Sequence, residues 1–444
     1  MSSAPREHWS GRTGFILAAI GSAVGLGNMW RFSYLTAEHG GAAFVLLYLA
    51  LTLLVGLPVL LAELTLGRGA GRSPIQALDH YGGPAWKPLG WLFVAAGFLI
   101  LAYYSVIAGW TLRYSVVGVI TGFDGDAGAR FGEISTGPWA IGWHLVFMAA
   151  TVAVVARGVR GGIERIALVL MPLLFIIVVG LAIYAATLEG GGAGYTYYLT
   201  ADFGEIFGLE VLAQAAGQAF FSLSLGMGAI LTFASYLDRS HHLPNESLVI
   251  AGSDFLVAFV AGLVVFPVLF ALGLQSAVGE STVGALFITL PQAFAEMGGA
   301  GRVVGVLFFV ALVAGALTSA VSLLEVVVAT TMDGLGWSRR RAAISMGAAI
   351  ALLGVPAALN LDVLGLMDQI AGNVFLILGG LALAIFVGWV MRDPVAEVSA
   401  GTHGVGWFFL WRGLLRFAVP VVLVVVLVAS IRTTYQAIAA LFTK

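Results

Sequence analysis

The sequence contains no cysteine, which excludes a disulfide scaffold, thiolate metal sites and thiol catalysis together. Charge is the second scarcity. Asp, Glu, Lys and Arg make up 10% of the 444 residues, against about 25% in a soluble domain. A chain of this length could not cover a globular surface with so few charges. The formal net charge of -2 leaves no basic field for nucleic-acid phosphates. The seven histidines are scattered, and no nucleophile has a base at reachable spacing, so an enzyme is not expected. What abounds instead is apolar: 60% hydrophobic residues, a mean hydropathy of +1.00, and 59 glycines. Glycine is commoner in membrane helices, where it permits close packing. The composition is that of a polytopic membrane protein. The opening MSSAPREHWSGRTGF lacks a cleavable signal pattern, so the first apolar run is expected to remain as a membrane helix.

A spanning helix needs about 20 mostly apolar residues. By that measure about eleven segments qualify: 13–36, 41–66, 88–120, 138–156, 163–187, 210–237, 247–276, 302–331, 341–358, 364–391 and 407–431. They are too long and continuous for barrel strands, so an all-α bundle is expected. The stretches 121–137 and 188–209 read as solvent loops. About fifteen of the 21 basic residues fall on the face shared with the N-terminus. The positive-inside rule then puts the N-terminus in the cytoplasm and, with an odd span count, the C-terminus outside. The expected location is the plasma (inner) membrane, with the lipid bilayer as an expected partner.

Two spans carry glycine in their middle. The first reads AAIGSAVGLGNMWRF, with Gly21, Gly25 and Gly27; the sixth reads QAFFSLSLGMGAILTF, with Gly226 and Gly228. Each interior glycine costs roughly 0.5–1 kcal/mol relative to Ala in a helix. One such span would read as a packing notch. Two, five spans apart, fit inverted five-helix repeats that each begin with a broken helix lining a midplane site. The repeats would be 13–187 and 210–391, joined by an extracellular loop 188–209; segments 1–12 and 392–444 lie outside them, the latter holding the last span and a short tail. Freed N–H and C=O groups in a bilayer need partners. Half-helix N-termini favour an anion and loose carbonyls a cation, which points to a zwitterionic solute moved with Na⁺ or H⁺.

Few ionisable residues lie inside the spans: Arg31, Glu63, Asp254, Glu325 and Asp368. Such residues are functional candidates by default. Arg31 and Asp368 occupy the outward halves of their spans and are placed to meet as a gate. Glu63 is placed to accept hydrogen bonds from N–H groups freed by the helix breaks. Asp254, near the midplane, wants a cation, while Glu325 has no clear partner and ranks as structural. Thr318 and Ser319, beside Gly315, offer hydroxyl oxygens to a hard cation, although such hydroxyls often bond their own helix carbonyls.

Four motifs carry a family resemblance: GSAVGLGNMWRFSYL (21–35), GLPVLLAELTLGR (56–68), QAFFSLSLGMGAILTFASY (218–236) and AGALTS (314–319). They resemble the neurotransmitter:sodium symporter family, and its bacterial amino-acid branch most. The inverted repeat with broken helices 1 and 6 is that family's own scheme. The resemblance implies two sodium sites: the Ala23 carbonyl, Asn28, Ser222 and Asp254, completed by a substrate carboxylate; and the carbonyls of Gly21, Val24 and Gly315 with the Thr318 and Ser319 hydroxyls. It implies a substrate pocket of Ser22, Ala23, Leu26, Gly27, Ile100, Tyr104, Phe221, Ser222, Ser224, Met227, Ser319 and Leu323. Tyr104 would hold the substrate carboxylate and Phe221 would cap the pocket. The outer gate would be Arg31 with Asp368, and the inner gate, in segment 1–12, Arg6 with Asp333, supported by Trp9 and Tyr236. Ser33 stands where the family commonly has Pro, and His39 replaces an Asn; neither is a ligand position.

The same resemblance bears on substrate class. Monoamine members carry Asp where this chain has Gly25, so the substrate here is expected to bring its own carboxylate. Apolar walls at Leu26, Ile100, Phe221, Met227 and Leu323 favour a neutral hydrophobic L-amino acid, and flexible Met227 favours tolerance of aromatic ones such as tryptophan. Asp254 and Ala258 replace the Asn and Ser of chloride-dependent relatives, so chloride-independent transport is expected. Gly162 and Pro172 bracket the cytoplasmic half of the fifth span, which unwinding or an ordinary Pro kink would explain equally. The rivals are a proton-coupled transporter of the same architecture and a non-transporting receptor or channel. Monomer and homodimer are both compatible with the sequence.

Overall fold

The computed structural model describes residues 7–204, 206, 208–274, 285–402 and 407–442. Among them no β-strand forms, and nine helices are long and apolar enough to cross a membrane. A tenth span is the pair Arg12–Ala23 and Gly27–Glu38, bent by 56° at its break. The sixth expected segment is also broken, into Leu209–Ser222 and Ala229–Ala234. This is an all-α membrane fold.

Local sequence explains where the long helices start and stop. Pro138 and Pro244 sit in the first turns of Gly137–Val155 and Leu243–Ala271, where a missing N–H costs nothing. Gly71 and Gly336, both left-handed, close the helices that end at Ala70 and Leu335. Two expected loops contain short helices instead. Ala127–Ser135 is capped by Asp126, whose carboxylate accepts the Ala129 N–H, and it buries Phe131 and Ile134. Gly192–Leu199 buries Tyr198, whose hydroxyl donates to the Phe259 carbonyl. Two apolar side chains on a short segment were enough to dock it, a signal weaker than any span. The last helix runs on to Phe442, past the expected end at 431.

Burial separates centre from rim. In its most apolar stretch the Pro84–Ile120 segment is 72% buried, whereas Phe408–Gln436 is 28% and Val159–Ala185 is 33% buried. The Lys87–Ile120 and Gly298–Leu335 helices pack along each other, and Arg12–Ala23 lies against the second. Ala229–Ala234 packs on the helix that carries Glu63. Both helix breaks therefore face the best-buried part of the molecule.

Candidate functional site

At the second break, Ser224, Gly226 and Gly228 have φ of 55°, 76° and 73°. Gly226 has two reasons to be glycine: its φ, and a Cβ that would stand 2.1 Å from the Leu376 carbonyl oxygen. The freed N–H groups find one acceptor. Glu63, fully buried, takes the Gly226 N–H on Oε1 at 2.9 Å and the Leu231 N–H on Oε2 at 3.1 Å. At the first break, the Gln218 amide donates to the Gly27 carbonyl at 3.0 Å, and Asn28 Oδ1 accepts the Gly25 N–H at 2.9 Å. Buried side chains thus replace the lost helix bonds on both spans.

Those same side chains gather oxygen. The Ser222 hydroxyl lies 2.8 and 2.9 Å from the two Asp254 carboxylate oxygens. Asn28 Nδ2 donates to Asp254 Oδ1 at 2.7 Å, and Tyr48 donates to Oδ2 at 3.0 Å. A second group lies where Gly298–Leu335 crosses the first break. Ser319 Oγ is 3.2 Å from the Gly21 and Ser22 carbonyls, and Thr318 Oγ1 is 3.0 Å from the Gly315 carbonyl. A Cβ on Gly315 would stand 3.2 Å from the Val24 carbonyl oxygen, a tight contact, so glycine lets the two backbones approach closely without a shift. Carboxylate, amide, hydroxyl and carbonyl oxygens, with no nitrogen or sulfur donor required, suit a hard cation. Among the described residues no three His, Cys, Asp or Glu converge as a transition metal would want.

One cavity of about 20 Å³ lies between the breaks. Its lining comprises Ser22, Ala23, Leu26, Gly27, Ile100, Tyr104, Phe221, Ser222, Ser224, Met227, Ser319 and Leu323, together with Gly25. Gly25 earns its place sterically: a Cβ there would be 2.6 Å from Ser319 Oγ and 2.9 Å from the Tyr104 hydroxyl. That hydroxyl accepts the Leu26 N–H at 3.4 Å. Ser22 and Ser322 hydroxyls meet at 2.7 Å below the cavity.

Above it, Phe221 packs against Gly27, and the Arg31 guanidinium stands 5.4 Å from the Phe221 ring centroid. Arg31 donates to Asn373 Oδ1 at 3.0 Å rather than pairing with Asp368. Asp368 instead accepts the Tyr103 hydroxyl at 2.8 Å. All four residues line an outer cavity of about 340 Å³.

Below, the N-terminal segment seals the bundle. Trp9 is buried, donates to the Phe233 carbonyl at 2.9 Å, and meets Phe15, Phe233 and Tyr236 edge-on. Glu325, the acid without an evident partner in the sequence, receives Tyr236 at 2.5 Å and Arg339 at 2.7 Å. Arg339 also reaches Glu7 at 3.0 Å, and Glu164 holds Ser10 through backbone N–H and hydroxyl. Asp333 accepts the Ser73 N–H at 2.8 Å; Arg6 lies outside the described residues. Nothing local in the sequence marks Arg339 as a hub, because the side-chain reach that makes it one leaves no pattern. Val159–Glu164 is a π-helical turn after Gly158 (φ 88°), and Pro172 sits inside the continuous helix that follows.

Known proteins share this arrangement. The profile of the sodium:neurotransmitter symporter family matches residues 6–123 and 132–441. A sodium-dependent transporter of Bacillus subtilis, YhdH, is 36% identical over 96% of this chain and 98% of its own. A sodium-dependent transporter of Haemophilus influenzae is 32% identical over 96% and 98%. The crystal structure of MhsT in complex with L-phenylalanine superposes with a TM-score of 0.89 at 42% identity, covering 96% of this chain and all of that one. With its two broken spans, buried oxygen clusters and full-length kinship, the chain belongs to the sodium:neurotransmitter symporter family and is a multi-pass, sodium-dependent membrane transporter, not an enzyme.

Proposed function

We propose that the chain imports neutral, hydrophobic L-amino acids together with Na⁺ by alternating access, with the N-terminus in the cytoplasm and without a need for chloride. The observation that carries this reading is the wall at Gly25. No side chain can grow there without striking Ser319 or Tyr104, so the pocket offers no acid to a substrate amine at that point. It offers instead a tyrosine hydroxyl beside an unwound backbone N–H, which suits a substrate carboxylate. The solved relative holds L-phenylalanine, an amino acid with an apolar side chain.

The cations belong at the two oxygen groups. One would lie at Ala23, Asn28, Ser222 and Asp254, beside the substrate carboxylate; the other at Gly21, Val24, Gly315, Thr318 and Ser319. Sodium bound there supplies positive charge that ties the two broken spans to their neighbours, and each ion entering down 100 mV contributes about 2.3 kcal/mol. Asp254 supplies the fixed negative charge that makes chloride unnecessary. The free volume of about 20 Å³ is that of roughly one water, so a bulky side chain enters only as Met227 and Phe221 move aside. Met227, unbranched, does this at low cost.

The test is uptake of labelled tryptophan, leucine, glycine and glutamate into proteoliposomes with an inward Na⁺ gradient. Leucine or tryptophan uptake that needs Na⁺ and survives replacement of chloride by gluconate is the expected result. Uptake that ignores Na⁺ and follows a pH gradient would overturn both cation assignments.

A further inference from the structure

We propose that a groove at the start of the Val159–Ala185 helix binds a phospholipid with an anionic headgroup, in the leaflet on the N-terminal face. The groove measures about 570 Å³ and is flanked by Arg157 and Arg165. Its floor is bare backbone: a Cβ on Gly161 would meet nothing within 4 Å. Its far end is the apolar strip Ile166, Val169 and Leu170, with Val169 61% exposed.

The two arginines are uncommitted. Among the described residues neither makes an ion pair or a hydrogen bond, although carboxylates lie close in sequence and space. Those carboxylates are spent: Glu164 on Ser10, Glu7 on the Val159 N–H and Arg339. Arg160, between the two, is also spent, on the His8 and Trp9 carbonyls. Two free guanidiniums at a groove mouth want a phosphate, whose oxygens match their planar forks. A soluble anion would leave the apolar strip unused, whereas an acyl chain covers it. The floor of the groove is the same π turn whose other side holds the N-terminal segment, so an occupant braces the inner seal. The proposal rests on the chain spanning a bilayer and on nothing about the solute, so failed amino-acid uptake would leave it standing.

The test is native mass spectrometry of the full chain with phosphatidylglycerol and phosphatidylcholine in competition. The wild type is expected to retain phosphatidylglycerol selectively. An R157Q/R165Q variant is expected to bind it about twenty-five-fold more weakly at low salt, since each basic residue near an anionic surface contributes about five-fold. An R340Q/R341Q variant, with the same charge loss on the same face, is expected to bind as the wild type does. Equal losses in both variants would mean general surface attraction and overturn the site. Photo-crosslinkable phosphatidylglycerol on the unmodified protein gives a second readout that needs no variant to fold. Crosslinks within residues 154–170 are expected, and crosslinks elsewhere only would overturn the proposal.

Discussion

The two ends of the solute pathway are closed by different chemistry. On the N-terminal side, closure is charged, buried and redundant: Glu325 takes Arg339 and Tyr236, Arg339 reaches on to Glu7, and Trp9 plugs the space beside them. On the opposite side, closure is one arginine–amide bond and a ring under a guanidinium, with a cavity of about 340 Å³ above. Buried ion pairs are costly to break, because the partner left behind remains uncompensated. A single bond facing an open cavity exchanges with water at little cost. The molecule is therefore locked on the N-terminal side and latched on the opposite one, an asymmetry that suits the proposed import of solute from the latched face.

The comparison breaks most strongly at Glu325. Glu325→Ala leaves Arg339 with Glu7 alone and removes the carboxylate that accepts from Tyr236. The closed inner side should lose up to about 3 kcal/mol, a shift of up to about a hundred-fold. Because the chain has no cysteine, a single Ser322→Cys reporter below the pocket can read this directly. Thiol labelling from the N-terminal face should rise steeply in the double variant; unchanged labelling would mean that the remaining contacts of Trp9, Glu7 and Ser10 hold the seal without Glu325.

The junction common to both ends comes next. Gly25→Ala puts a methyl group within 2.6 Å of Ser319 Oγ and 2.9 Å of the Tyr104 hydroxyl. Both hydroxyls must turn away, and Tyr104 leaves the Leu26 N–H. Losing one such bond in a buried site corresponds to roughly ten-fold in affinity, read as a raised KM for leucine with folding intact. A KM equal to the wild type would remove Tyr104 as the carboxylate holder.

How much of this was legible beforehand depends on the range of the interaction. The spans and the two breaks are local: long apolar runs, and glycines where a helix should be plain. The four motifs contain nine of the twelve expected pocket residues, because contact with backbone and solute restricts residue type there; Ile100, Tyr104 and Leu323 lie outside them. The inner hub is different. Glu7 and the Glu325–Arg339 pair come from distant parts of the sequence and meet only through long side chains at the bundle's end, as Glu164 and Ser10 do nearby, where nothing periodic marks them. Asn373 is illegible for another reason: it is neutral, and charge alone singles out Asp368, five residues earlier, as the partner of Arg31.

That five-residue offset carries the subtlest prediction. Gln369–Phe375 is π-helical, and Asp368 stands at its start with Asn373 inside it. Residues five apart lie about one turn apart on such a helix, so both face the outer cavity, and Arg31 needs only to swing past one turn to exchange Asn373 for Asp368. Asn373→Ala removes the bond seen here and should weaken outer closure by about 1 kcal/mol, some five-fold. Asp368→Asn keeps an acceptor for the Tyr103 hydroxyl, so thermal stability should change by less than about 0.5 kcal/mol. If the arginine pairs with Asp368 at another stage of the cycle, the same substitution slows uptake while leaving stability alone. Equal uptake in Asp368→Asn and the wild type would make Asn373 the whole of the latch. Slower uptake with unchanged melting would make the amide a resting place for Arg31 and the carboxylate its working partner.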